Sequence, residues 1–107
     1  MKHPQLRQIL TKLKQYFLDL YQEQLEVIIL YGSQAREEAQ ETSDIDILVI
    51  LKTRINPYKE IDRTSQFIAQ ICLEYDVVIS RHFVSSDKFQ TSNTPFLYNV
   101  KKEGIVI

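Results

Sequence analysis

The chain is short of several things that would each have named a class. A single cysteine, Cys72, occurs in 107 residues, so no internal disulfide can form. No apolar run approaches the roughly 18 residues that a membrane span needs. The first fifteen residues, MKHPQLRQILTKLKQ, alternate charge with apolar side chains where a signal peptide carries an unbroken apolar core. These absences give the expectation of a cytoplasmic protein with no membrane partner. An excess of one charge is missing too: 13 basic and 14 acidic side chains leave a net charge of −1, with no Lys/Arg block to line a groove. Stable nucleic-acid binding is therefore not expected. There is no repeat, low-complexity tract or linker, and the length suits one core. Residues 1–107 are expected to form one α/β domain, which takes its substrate largely from outside.

What is present is a clean alternation of periods. Leu6, Ile9, Leu10, Leu13, Tyr16, Phe17 and Leu20 follow helical spacing and predict an amphipathic helix from about Pro4 to Gln24. Leu25 to Tyr31 (LEVIILY) reads as a buried strand that delivers the chain to a tight turn at Gly32. One or two helical turns fit Gln34 to Gln40, and Asp44 to Leu51 (DIDILVIL) predicts a second strand, with Ser43 serving the backbone donors at its start. Asn56-Pro57 is a cap followed by a proline at the first helical position, opening a helix to about Leu73 with Ile61, Ile68, Ile71 and Cys72 inward. Tyr75 to Ser80 (YDVVIS) reads as a third strand. Arg81 to Asn93 is polar and specifies no element. Thr94-Pro95 repeats the cap-and-proline start of a helix through Glu103, and Gly104 caps it before Ile105-Val106-Ile107.

The chemistry concentrates in two short motifs. Leu30-Tyr-Gly-Ser33 ends the first strand, and after Gln34 to Ser43 the second strand opens with Asp44-Ile-Asp46. Alternate strand residues share a face, so Asp44 and Asp46 project together while Ile45, Ile47 and Val49 fill the other side. Two unit charges about 4 Å apart repel by about 4 kcal/mol at an effective dielectric near 20, a large share of a small domain's stability. A divalent cation held by oxygen ligands offsets that cost, and Asp76 at the head of the third strand is a candidate third carboxylate. An Asp-x-Asp pair alone is more often a solvated strand end, and Gly-Ser alone an ordinary turn. Their combination at this spacing, with a third acidic strand residue, points to nucleotidyl transfer. Of the other polar residues, Lys52, Arg54 and Lys59 read as solubilising before triphosphate contacts. His82, after a strand, reads as a surface residue before a nucleotide or partner contact, Cys72 as core, and Tyr98 as packing or part of a partner surface.

Tyr31-Gly-Ser33, Arg36 and Ser43-Asp-Ile-Asp46 resemble the Gly-Ser-x10-Asp-x-Asp signature of the DNA polymerase beta superfamily of nucleotidyltransferases, in particular its minimal, MntA-like antitoxin group. The likeness extends to Asp76 and to the tail Phe96-Leu-Tyr-Asn-Val-Lys-Lys-Glu-Gly-Ile105. Where relatives read Gly-Ser-Arg-Ala-Arg-Gly, this chain has Gln34 and Glu37 at the first Arg and the last Gly. The resemblance implies a small mixed β-sheet with helices packed mainly on one face. It implies ATP as substrate, two Mg2+ ions held by Asp44, Asp46 and Asp76, and phosphates gripped by Gly32 and Ser33 with Arg36 neutralising charge. Arg36 is as readily an exposed helix residue. Asp76 is the implied general base, acting directly or through the metal.

The acceptor follows from the same resemblance. A chain of this length is similar to the nucleotidyltransferase half of a two-gene system whose companion is a small helical HEPN ribonuclease toxin, silenced by transfer of AMP to one of its tyrosines. Three alternatives stand beside that reading. A non-catalytic antitoxin would act by binding alone, although it has no use for mutually repelling carboxylates. A subunit that nucleotidylates a small hydroxylated molecule such as an aminoglycoside would share the site, and a homo-oligomer is compatible with either. A Toprim-type metal domain also carries Asp-x-Asp on a strand but leaves Gly32-Ser33 unexplained.

Overall fold

The computed structural model describes residues 5–36 and 44–107. The expected helix start at Pro4, the far end of the helical turns to Gln40, and the roles of Glu37 and Ser43 lie outside the described residues. In chain order the elements are α1 (Leu6–Tyr21), a short 3-10 turn (Gln22–Gln24), β1 (Leu25–Tyr31), β2 (Ile45–Leu51), α2 (Pro57–Tyr75), β3 (Ile79–Ser85), α3 (Ser86–Thr91), α4 (Pro95–Glu103) and β4 (Ile105–Val106). The caps work as their residue types require. Asn56 Oδ1 accepts the Tyr58 N–H at 3.1 Å, and Thr94 Oγ1 accepts the Leu97 N–H at 3.2 Å, each satisfying a donor that the first helical turn leaves orphaned. Lys101 and Lys102 close α4 on the side its dipole favours.

The strands form one mixed sheet in the order β3-β2-β1-β4. β1 runs antiparallel to β2 and β4, and β2 runs parallel to β3. Strand alternation divides the sheet into two faces. Ile28, Leu30, Ile45, Ile47, Val49, Leu51, Ile79 and Phe83 meet α1 and α2, and this larger core holds Phe17, Leu13, Ile9, Ile68 and Ile71. Ile29, Leu48, Ile50 and Val84 face the other way against Leu97 and Val100 of α4, with Phe89 of α3 alongside. The two long helices thus share one face, as the resemblance implies. On the second face α4 covers one part, and the row that carries Asp46 lies toward its edge. No helix among the described residues is long and apolar enough to cross a membrane.

The third strand is displaced from its expected place. α2 runs to Tyr75, beyond Leu73, and Asp76 takes the left-handed conformation (φ 53°, ψ 54°) that closes a helix. The N–H groups of Asp76 and Val77 both return to Cys72 O. Val77 and Val78 are spent on the connection, and β3 then extends through the polar stretch that specified nothing in sequence. It can do so because Arg81, on the α2 face, is held rather than exposed. Its Nε donates to Thr64 Oγ1 at 2.9 Å, and its Nη2 to Ile61 O at 2.8 Å and Ser65 Oγ at 3.0 Å. Ser85 ends the strand and caps α3 by accepting the Lys88 N–H.

Candidate active site

The site forms where β1 leaves the sheet and β2 enters it. Cross-strand pairing puts Tyr31, Asp46 and Ser80 in one row across β1, β2 and β3. Asp44 precedes the strand and is exposed, and Asp46 is half-buried on the same face. Burial raises the Asp46 pKa above the ordinary carboxylate value, and the charge of Asp44 raises it further. His82, Arg36 and a hydrogen bond from Ser80 pull the other way. The Tyr31 hydroxyl is pushed up to about 12, by burial first and then by the Asp46 charge, so it stays protonated at neutral pH.

Gly32 is required here twice over. Its φ is +76°, a conformation that side-chain-bearing residues avoid. A Cβ at this position would also run into Asp46 Oδ2. The glycine therefore lets the turn pass directly over the carboxylate. Gly32 O accepts the Arg36 N–H at 3.2 Å, closing a single helical turn with Gln34 and Ala35 buried beneath it and Ser33 half-buried. The N–H groups that open such a turn find no acceptor inside it, and they are the groups an anion engages. Arg36 Nη1 reaches Glu103 Oε2 at 2.9 Å, which ties the turn to α4. A cavity of about 270 Å³ lies between them, lined by Tyr31, Gly32, Arg36, Phe96, Asn99 and Glu103.

Gly32, Ser33, Arg36, Asp44 and Asp46 thus belong to one corner of the molecule. Asp76 does not join them, because its left-handed backbone ends α2 three residues before β3 begins. The position opposite Asp46 is Ser80, and among the described residues no group of three His, Cys, Asp or Glu side chains converges to hold a metal ion. Chemically the Asp44–Asp46 pair still fits a divalent cation, since a positive charge offsets both the repulsion and the burial that raise the Asp46 pKa. Such an ion would need further oxygen ligands beyond these two carboxylates.

Groups outside the two motifs complete this corner, among them His82, which is exposed as its polarity implies. His82 lies within β3 beside Leu48, not at a strand end, and shares a 3.0 Å hydrogen bond with Tyr31 Oη through Nδ1. The alternation of Ile79, Arg81 and Phe83 against Ser80, His82 and Val84 was the available signal, masked by the polarity of the stretch. Glu103 and Asn99, on one face of α4 at a spacing of four, could be placed only once α4 was known to lie over β1.

A mixed sheet that sets paired carboxylates under a glycine turn at the end of the neighbouring strand defines a nucleotidyltransferase domain. The chain belongs to the polymerase beta nucleotidyltransferase family, whose pattern it matches over residues 11–107. Two relatives come from Methanocaldococcus jannaschii. "Putative protein adenylyltransferase MJ0141" is 27% identical over 94% of this chain and 96% of its own length. "Putative protein adenylyltransferase MJ0604" is 34% identical over 81% and 82%. Among solved structures, a "putative nucleotidyltransferase" from Sulfolobus solfataricus superposes with a TM-score of 0.67 at 20% identity, over 95% of this chain and 80% of that one. A toxin–antitoxin complex with AMP-PNP gives 0.60 at 19%, covering 92% and 69%. The toxin–antitoxin pair MntA–HepT gives 0.55 at 17%, covering 94% and 69%. At these identities the superpositions establish the fold.

Proposed function

We propose that this protein transfers AMP from ATP, with magnesium, to a tyrosine hydroxyl of a HEPN-type ribonuclease toxin, and so acts as its antitoxin in the cytoplasm. The observation that carries the reading is the close approach of Gly32 to the Asp46 carboxylate, which puts the glycine turn and the carboxylate pair in one corner and supports their joint use for phosphate and cation. Asp44 and Asp46 would hold the metal, which supplies charge neutralisation at the triphosphate and a lowered pKa for the attacking hydroxyl. The Ser33 hydroxyl and the N–H groups of the Gly32 turn hold the outgoing phosphates in line with the attack, and Arg36 screens their charge. The acceptor oxygen bonds to the α-phosphorus as the bond to pyrophosphate breaks, and the acceptor proton leaves to solvent or to a carboxylate. The relatives named as protein adenylyltransferases support a protein acceptor, and the toxin–antitoxin neighbours support a toxin as that protein.

A second reading, an antitoxin that acts by binding alone, is favoured by one observation. With Asp76 at the end of α2, the corner offers two carboxylates to metal where the resemblance implies three, and a second ion lacks its expected protein ligand. One experiment separates the two. The chain is incubated with its companion, ATP and magnesium, and the companion is weighed by mass spectrometry. A gain of one adenylyl group, abolished in Asp46→Asn while the complex survives, supports transfer. Full neutralisation with no mass gain supports binding alone.

A further inference from the structure

Past Asp46, the same face of the sheet leads into a group of rings. Tyr31 and Phe96 lie 5.4 Å apart between centroids at 82°, and His82 and Phe96 lie 5.2 Å apart at 52°. Phe96 is a large apolar side chain in the first turn of α4, yet it is 39% exposed while its neighbours Leu97 and Val100 are buried. Its ring lies against Tyr31 and His82 and forms a wall between two cavities. One is the polar cavity beside Gly32 and Arg36. The other, about 220 Å³, is floored by Leu48, Val84 and Leu97 and bounded by His82, Phe96 and Thr94.

We propose that Phe96, braced by His82 and Tyr31, is the platform on which the base of the bound nucleotide stacks, with the base lying over the apolar cavity between β3 and α4. The inference rests on the nucleotidyl-transfer reading of Asp44 and Asp46. Reach supports it: Leu48 follows Asp46 by two residues on the same face, about 7 Å along the strand, a span that ribose bridges from a phosphate at Asp46. Room decides how the base sits. A ring sandwiched between two others needs about 7 Å between them, twice a contact of about 3.5 Å, so the 5.2 Å separation of His82 and Phe96 excludes intercalation and leaves the outer face of Phe96. Polarity divides the ligand in the same sense. Arg36, held in place by Glu103, lines the phosphate side, whereas the base side offers carbon surface with the Thr94 hydroxyl and Lys88 at its edge. Thr94 Oγ1 accepts the Leu97 N–H, and its own proton can still be donated to a base edge.

The test compares ATP with inorganic tripolyphosphate, each with magnesium, by calorimetry on the full chain. ATP should bind the tighter of the two. Phe96→Ala should weaken ATP roughly tenfold, the scale of one base–aromatic stack, and leave tripolyphosphate unchanged. Phe96→Trp should restore ATP binding, and unchanged melting of both variants would show that the fold is intact. Equal affinities for ATP and tripolyphosphate in the parent chain, or an Ala variant that binds ATP as the parent does, would overturn the platform while the phosphate and metal corner stands. Binding of neither ligand would overturn both.

Discussion

Replacing Gly32 by alanine tests the corner at its tightest point. The backbone there sits at φ +76°, where an L-residue costs about 1–2 kcal/mol more than glycine. The new Cβ also meets Asp46 Oδ2, which must swing aside at a cost of about 0.5–1.5 kcal/mol for an off-rotamer side chain. Alanine returns about 0.4–1 kcal/mol by stiffening the unfolded chain. The balance is a loss of about 0.5–3 kcal/mol, at about 4–8 °C of melting temperature per kcal/mol for a domain of this size. Urea unfolding of Gly32→Ala, Asp46→Ala and the double variant separates the parts. Without the carboxylate the clash is gone and only the backbone term remains, so the cycle should return a coupling of about 0.5–1.5 kcal/mol. A Gly32→Ala protein as stable as the parent, or a cycle with no coupling, would mean that Gly32 and Asp46 do not meet. The case for a joint phosphate and metal corner would then fail.

Further outcomes follow from the same geometry. Asp46 has a pKa raised in the folded state, so its ionisation costs stability that is fully present below the unfolded value of about 3.9 and is lost as pH rises through the folded one. Asp46→Asn should therefore melt higher than the parent at neutral pH, with the gap closing as pH falls toward the unfolded value, and it should not transfer AMP. An equal gap at all pH values would argue against burial and Asp44 as its cause. Arg36→Ala breaks a half-exposed ion pair with Glu103 and should change stability by only about 0–1 kcal/mol in thermal melts, while ATP binding weakens measurably. Asp76→Gly suits the left-handed helix end better and should raise the melting temperature, and Asp76→Asn should transfer AMP at the parent's rate. Loss of transfer in a fully folded Asp76→Asn protein would return that carboxylate to the metal cluster.

The contrast between Asp46 and Asp76 marks what could be read from sequence. β1, the start of α4 and its end at Glu103, and nearly all of β2, were legible because each is announced by local chemistry: a β-branched run into glycine, or a cap followed by proline. The face that Asp44 and Asp46 share is fixed by the period of a strand, whatever its neighbours do. Asp76 had no such guarantee. The run Tyr75–Ser80 is rich in strand-favouring Tyr, Val and Ile, and whether its first residues extend α2 or open β3 depends on the register that buries Ile79 beside Ile45 and Phe83 beside Val49. That register is a tertiary decision, and it also carries β3 through Arg81 and His82, whose polarity hid the strand. Arg81 needs three acceptors on α2 to lie against the sheet, whereas His82, exposed on the other face, meets the Tyr31 hydroxyl from β1. A polar residue whose partner lies on a distant element looks like a loop residue until the elements are assembled. For that reason the carboxylate pair was visible in advance, and the ring cluster that completes the corner emerged only with the fold.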